Sequence, residues 1–409
     1  MHAVALTVAA VALLGVLVRP WHTYPAWWAA GGALALVLVR ALTPAQAGAA
    51  VARGLDVYLF LIGMMALAEF ARVEGVFGWI AAAAVHAAHG SHARLFALVY
   101  ATGVMTTAFL SNDATIVVLT PAVVVALADT DASPLPYAFA CALVANAAST
   151  LLPIANPSNL LFFAQRMPPL TTWFASFGWA SLAAIVATYL VLIVLFRREL
   201  SAPLHVVRRD AARPRTIALA MLVLAAAALV ATASRAGALG PVTFALGAIA
   251  ALIASTRRRD APLHIARGIA WPIVVLTAGL FVIVQALDLA GVATLPQAVF
   301  AWAAHLAPPL ARLAIAGAAA GASNVVNNLP VGLEVGRFVA HAHPPTPLAS
   351  AALLGVNVGP NFSINGSLAT VLWLAIMQRA NIDVSALRFA AVGALATPLA
   401  LGTAALLAR

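Results

Sequence analysis

Apolar runs of about 17 to 25 residues recur from one end of this chain to the other, each long enough as a helix to cross a hydrocarbon core of roughly 30 Å. So many such segments cannot share one water-excluding core, and in a bilayer each must satisfy its backbone polar groups within helices. Composition agrees: of 409 residues, 64% are hydrophobic and 8% charged, against about a quarter charged in soluble domains. The longest stretches suited to water, 197–215 and 257–267, are too short to bury a core of their own. A soluble catalytic domain is thereby excluded, and the chain reads as a non-enzyme.

All 22 basic residues are Arg, against 12 acids, for a formal net charge of +10. In a soluble protein that balance would point to nucleic acid. Here the charges cluster in short loops, at Arg197, Arg198, Arg208, Arg209, Arg213 and Arg215, then at Arg257, Arg258, Arg259 and Arg267. That is the positive-inside pattern of cytoplasmic loops, so no nucleic-acid partner is expected. The single cysteine, Cys141, excludes internal disulfides and multi-thiolate metal sites and reads as a small packing residue. The N-terminus reads as a spanning helix rather than a cleaved signal. Trp21, Trp27 and Trp28 read as interface anchors.

Spans are expected near 3–18, 24–40, 55–71, 135–165, 172–196, 216–234, 240–256, 268–288, 348–380 and 386–408. Two further apolar regions, 94–128 and 310–340, are interrupted by Ser, Asn and Asp, and read as re-entrant hairpins whose tips reach membrane depth. Gly63–Gly75 aligns with Gly279–Gly291, Ser111-Asn112 with Ser323-Asn324, and Asn146 with Asn357. The expected fold is an all-α polytopic membrane protein with about ten transmembrane helices in two inverted repeats, each with a re-entrant hairpin and a broken helix. The first repeat is 1–199, the cytoplasmic Arg-rich linker 200–215 and the second repeat 216–409. With both Arg loops cytoplasmic, and 76–92 lying amphipathically at the interface, the spans at 55–71 and 268–288 cross in opposite senses and both termini face outward. Inverted repeats of this kind place a substrate site at their midplane interface. His86, His89 and His92 read as a solvated interfacial face; no carboxylate or Cys joins them, so no metal site is expected.

Polar side chains at membrane depth cost free energy unless they are satisfied, so their clustering points to function. One cluster holds Ser111, Asn112, Asp113 and Thr115; another holds Asn146, Ser149, Thr150, Asn156, Ser158 and Asn159. Pro153 and Pro157 fall in the second, where missing donors favour an unwound loop at mid-membrane. The later half repeats the scheme with Ser323, Asn324, Asn327 and Asn328, then Asn357, Asn361, Ser363, Asn365, Ser367 and Thr370. These residues are candidate substrate ligands, chiefly Ser111, Asn112, Thr115, Asn146, Thr150, Asn156, Ser323, Asn324, Asn327, Asn328, Asn357, Asn361 and Ser367. An intramembrane Asp costs about 2.5 to 3.5 kcal/mol at a helix centre, which makes Asp113 a candidate proton carrier or cation ligand. Glu334 is a second, unless Arg337 one turn on pairs with it. Glu69 beside Arg72 reads as an interfacial ion pair.

The strings FLSNDATIVVLTP (109–121), NAASTLLPIANPSNLLFF (146–163), ASNVVNNLP (322–330) and GVNVGPNFSINGSLATVLWL (355–374) resemble the arsenite efflux permeases of the ion transporter superfamily, from about residue 45 onward. The resemblance implies export of trivalent arsenic and antimony driven by inward proton movement, in a bacterial inner membrane, with an optional cytoplasmic ATPase partner and no cofactor. It places Asn112 and Asp113 at hairpin one, Asn327 and Asn328 at hairpin two, and Gly359-Pro360 and Gly366-Ser367 in the second broken span. The better-known permeases tend to carry Asp in that span; this chain has Asn357. A sodium/proton antiporter or a dicarboxylate carrier of the same superfamily is the alternative. A pocket of Asn, Ser and backbone dipoles both donates and accepts hydrogen bonds, which suits a small neutral trihydroxy solute, whereas a dicarboxylate calls for an Arg near a hairpin tip.

Overall fold

A computed structural model describes residues 2–18, 23–128, 130–163, 167–205, 213–291 and 294–409; Trp21, Arg208 and Arg209 lie outside these. The first half opens with α1 (His2–Val18), α2 (Pro25–Leu38), α3 (Pro44–Arg53), α4 (Leu55–Val73) and α5 (Val76–Ala87). Then α6 (His92–Leu110) meets a break at Ser111, and the chain returns through α7 (Asn112–Ala114), a π-helical turn at Thr115–Leu119 and α8 (Thr120–Leu127). Next, α9 (Pro134–Ala147) ends inside the protein, and a 3-10 turn at Pro153–Ala155 leads into α10 (Pro157–Phe162). The half closes with α11 (Leu170–Leu195) and α12 (Arg197–Leu200).

The second half runs through the same order. It comprises α13 (Thr216–Ser234), α14 (Leu239–Ser255), α15 (Ala261–Gly268), α16 (Trp271–Leu289), α17 (Thr294–Ala303) and α18 (Pro308–Val326). After a break at Asn327 come α19 (Asn328–Ala342), α20 (Thr346–Val358), a 3-10 turn at Gly359–Phe362, α21 (Leu368–Arg379) and α22 (Ala386–Leu407). No strand occurs among the described residues. Proline in the first turn starts α2, α3, α9, α10, α15, α16, α18 and α20, where its missing N–H costs nothing.

The chain is an all-α polytopic membrane protein. Six described helices, α6, α11, α13, α16, α18 and α22, are long and apolar enough to cross a bilayer, and α3 with α4, bent by 48°, makes a seventh such span. Of the ten expected spans, α1, α2 and α14 are shorter apolar helices, and two are the interrupted pairs α9–α10 and α20–α21.

Packing sorts the helices into two groups. In one, α4 lies along α14, and α2 along both α16 and α1. In the other, α11 packs on α22, α18 on α20, α6 on α9 and α10 on α19, around a cluster of Phe139, Trp373 and Phe389 with ring centroids 5.2 to 6.0 Å apart. Glycine permits the closest crossing: a Cβ at Gly63 would sit 2.3 Å from the Thr243 backbone, an approach small residues allow in membrane helices. Asp56 Oδ1 accepts from Gly240 N at 2.9 Å and Gly63 faces Thr243 and Gly247, so α4 and α14 run parallel. In contrast, Arg53 meets Gln285 and Tyr58 meets Phe281 at 5.9 Å, so α4 and α16 run antiparallel. Both hairpins return to the side they leave: α8 packs on α5, and Phe338 of α19 lies 4.9 Å from Phe300 of α17.

At one end of the bundle, Arg215 donates to buried Glu74 at 2.8 and 2.6 Å, and Arg257 stands 4.0 Å away. Both Arg-bearing loops thus converge on the end of α4. Nearby, residues 201–205 strap the base of hairpin one: Leu204 N donates to Gly90 O at 2.9 Å, Ser91 bridges Pro203, and His205 hydrogen-bonds Asp131 at 2.7 and 3.0 Å. Those bonds hold the Asp131 carboxyl below its ordinary range.

Several expectations are corrected. Segment 76–92 is no single amphipathic helix, because Gly90 at φ +77 turns the chain between α5 and α6. The three histidines therefore share no face; His92 is buried and bonded to the Tyr137 hydroxyl at 2.9 Å. The counterpart of the Ser111 break is Asn327, not Ser323: the left-handed φ values fall at Ser111 (104°) and Asn327 (78°), and α18 continues helically through Ser323 and Asn324. Arg337 pairs with Asp288 rather than with Glu334. Glu69 does pair with Arg72, at 2.8 Å.

Candidate functional site

Each of the two breaks and two hairpin tips ends in a side chain that caps the helix it opens. Ser111 Oγ accepts from Ala114 N at 3.4 Å, Asn327 Oδ1 from Leu329 N at 3.3 Å, Asn156 Oδ1 from Ser158 N at 2.9 Å, and Ser367 Oγ from Thr370 N at 3.2 Å. Ser and Asn are suited to this because a short side-chain oxygen reaches the orphan N–H groups of a first turn. All four of these starts meet at one narrow cavity, lined by Asn112 and Asp113, Asn156 and Pro157, Asn328 and Leu329, and Ser367 to Ala369. Its remaining walls are Leu61 of α4 and Ile273 of α16. The partial positive charge of helix N-termini favours a carboxylate where Asp113 stands, in the first turn after Ser111.

Most amides around the cavity are already spent. Asn146 Nδ2 donates to Asn361 Oδ1 at 2.9 Å, and Asn361 Nδ2 to Leu143 O at 2.9 Å. Asn357 Nδ2 donates to Asn159 Oδ1 at 3.0 Å, while its Oδ1 accepts from Ser158 at 2.8 Å. Asn156 Nδ2 reaches Ser149 at 3.1 Å. Asn324 donates to Gly359 O at 2.9 Å and accepts from Ser363 at 2.6 Å. These bonds knit the two broken helices to each other and to hairpin two. Asn112 and Asn328 are different: each is 2% exposed and forms no side-chain hydrogen bond with a described residue, and Asn112 Oδ1 is fully buried. Asp113, half-buried, forms no hydrogen bond or ion pair with any described residue. No Arg lines the cavity.

The remaining sequence candidates stand behind or beside this cavity. Thr115 bonds Thr107 across hairpin one at 2.8 Å, and Thr150 bonds Ser181 of α11 at 2.9 Å. Ser323 is buried inside α18 with a free hydroxyl. Asn327 lines a neighbouring cavity with Val16, Pro25, Leu276, Leu280, Pro330, Asn365 and Leu368. Glu334 is a turn and a half along α19, outside both cavities. Sequence reasoning missed Leu61 and Ile273, since nothing in an apolar span marks which Leu or Ile faces a cavity instead of lipid. Among the described residues, no group of three His, Cys, Asp or Glu side chains could hold a metal ion. The site thus presents two free amides, Asn112 and Asn328, one free carboxylate and helix starts, in a narrow apolar-walled space between two groups of helices.

Comparison with known proteins agrees with a carrier's architecture. The chain is 26% identical over 342 residues to an arsenical pump membrane protein of Escherichia coli and 27% identical over 342 residues to one of Yersinia enterocolitica, covering 76% of both chains in each case. It is 26% identical over 369 residues to an uncharacterised transporter of Mycobacterium bovis, across 86% of this chain and 85% of that one. The crystal structure of the YdaH transporter of Alcanivorax borkumensis, described as having an unusual topology, superposes with a TM-score of 0.60 at 15% identity, covering 90% of this chain and 88% of that one. The family model described as a citrate transporter, CitMHS, matches residues 4–356. A polytopic bundle whose interrupted helices enclose a polar cavity, matched by that model over most of its length, belongs to the CitMHS citrate transporter family and is a membrane transporter, not an enzyme.

Proposed function

We propose that this chain is a secondary active exporter of trivalent metalloids, arsenite and antimonite, coupled to inward proton movement across a bacterial inner membrane. The observation that carries the reading is that Asn112 and Asp113, adjacent at the cavity, are both unpartnered, with no cationic side chain beside them. An amide that can donate and accept, next to a carboxylate, suits a small neutral solute bearing hydroxyl groups. Citrate, which the family description names, brings three negative charges, and the side chains here would set Asp113 against them.

Asp113 carries the proton, favouring one substrate state when charged and the other when protonated, so the gradient shifts populations between conformations. Asn112, Asn156, Asn328 and Ser367 contact substrate. Ser111, Thr115, Asn146, Thr150, Ser323, Asn324, Asn327, Asn357 and Asn361 hold the hairpins and broken helices in place around it. Residues 1–199 and 216–409 act as inverted repeats joined by a cytoplasmic linker, a reading supported by the repeated element order and the antiparallel α4 and α16. The group bearing the hairpins slides as an elevator against the group built on α2, α4, α14 and α16.

The test is uptake of radiolabelled arsenite by inverted membrane vesicles. Uptake should rise when an acid-inside gradient is imposed and collapse when it is dissipated. Gradient-insensitive uptake would remove the coupling, and uptake of labelled citrate in place of arsenite would remove the substrate assignment.

A further inference from the structure

The contact between hairpin two and α16 holds charges that the substrate cavity does not use. Arg337, in the second half of α19, pairs with Asp288 near the end of α16, each side chain 21% exposed. One turn earlier on α16, Gln285 takes a hydrogen bond from Arg53 at the end of α3, and Arg53 stands close enough to Arg337 for their like charges to repel. One turn before Arg337 on its own helix is Glu334, which has no partner among the described residues and whose Oε2 is fully buried. A Glu and an Arg three residues apart on a helix ordinarily meet. Here they do not, because Asp288 holds the guanidinium.

We propose that Arg337 is a positioning residue that changes partners during transport: Asp288 in this conformation, Glu334 once α19 has moved away from α16. The inference rests on the two-group movement proposed above. The Arg337–Asp288 pair joins the two groups, so any sliding of one against the other must break it. A guanidinium stripped of its counter-charge in a partly desolvated interface is strongly disfavoured. Glu334 rides on the same helix, half-buried and unpartnered, so it can receive Arg337 without crossing the interface. Arg53, on Gln285 one turn from Asp288, is placed to neutralise the carboxylate that Arg337 leaves. Repulsion between Arg53 and Arg337 favours that exchange.

The test uses spin labels on cysteines replacing Leu289 at the end of α16 and His341 at the end of α19, in full-length protein carrying Cys141→Ala, reconstituted in lipid. Two distance populations are expected, and Glu334→Gln should deplete the longer one while slowing transport roughly tenfold or more, as an unpaired buried charge would. Adding Arg337→Gln to Glu334→Gln should bring the longer population and the rate back to those of Arg337→Gln alone. If the double variant stays as depleted as Glu334→Gln, Glu334 acts independently and the exchange is wrong. A single distance population, or one indifferent to Glu334→Gln, also overturns it. The distances are read without substrate, so they test the exchange even if arsenite proves not to be the cargo.

Discussion

The two hairpins share a plan and differ in where they are fastened. Hairpin two is tied at its tip: Asn324, Asn327 and the Asn328 backbone bond Gly359, Ser363, Asn365 and Gly366 of the second broken span, at 2.6 to 3.2 Å. Hairpin one is tied at its base, where the 201–205 strap and the His92–Tyr137 bond hold it, and its tip leaves Asn112 and Asp113 without partners. A tip so fastened is held to the broken helix beside it. A tip whose polar side chains lack partners has hydrogen bonds to offer to what enters the cavity. On the function proposed above, the more firmly fastened tip is the structural one, and the tip with the single carboxylate is where substrate and proton would meet.

The sharpest way to break this contrast is Asp113→Asn. Proton-driven arsenite uptake should fall to background in vesicles that still contain the protein at normal abundance; undiminished uptake would return hairpin one to a structural role. A smaller effect separates Asn324→Ala from Asn112→Ala. Loss of Asn324 strands buried partners and should cost roughly 1 to 3 kcal/mol of stability, seen as earlier thermal unfolding in detergent. Asn112→Ala strands nothing, so its melting should stay within about 0.5 kcal/mol of the parent while its apparent KM rises. Equal melting losses would show that both tips are structural.

The smallest effect concerns the base of hairpin one. Hydrogen bonds from His205 keep the Asp131 carboxyl charged to lower pH than an unfolded Asp. Its contribution is complete at neutral pH and is lost as pH falls through that lowered value. Proteolysis near residues 201–205 should therefore increase in acid, and Asp131→Asn should reproduce that susceptibility at neutral pH. A variant as resistant as the parent would show that the backbone bridge alone holds the strap.

The breaks were legible because Asn, Ser, Pro and Asp are costly in an apolar span, so their presence near 111–113, 146–159, 323–328 and 357–367 marks where the helices stop. Their register was less so. Matching Ser-Asn with Ser-Asn ignores that a tip lies where φ turns positive, and α18 spends one more turn before Asn327 does so. Glu334 and Arg337 show another limit: helical spacing offers a local pair, and a carboxylate 49 positions away takes the Arg instead. The three histidines were misplaced because a glycine turn, not helical spacing, sets their directions. Nothing in the sequence separated Asn112, left free, from Asn324, fully engaged, since that depends on what the opposite broken helix presents.

The π-helical turn at Thr115–Leu119, closed by Thr120 Oγ1 donating to Thr115 O at 3.0 Å, sets the aim of everything above it. A π turn is an α-helix carrying one surplus residue, and each residue rotates an α-helix by about 100°. Removing Val117, which faces outward from that turn, would leave α8 seated on α5 and swing Asp113 by more than a quarter of a revolution, away from the cavity. The bearing of the carboxylate is thus written below it, as an odd count in the backbone, so relatives could redirect the site by a single codon gained or lost while every side chain at the tip stayed the same.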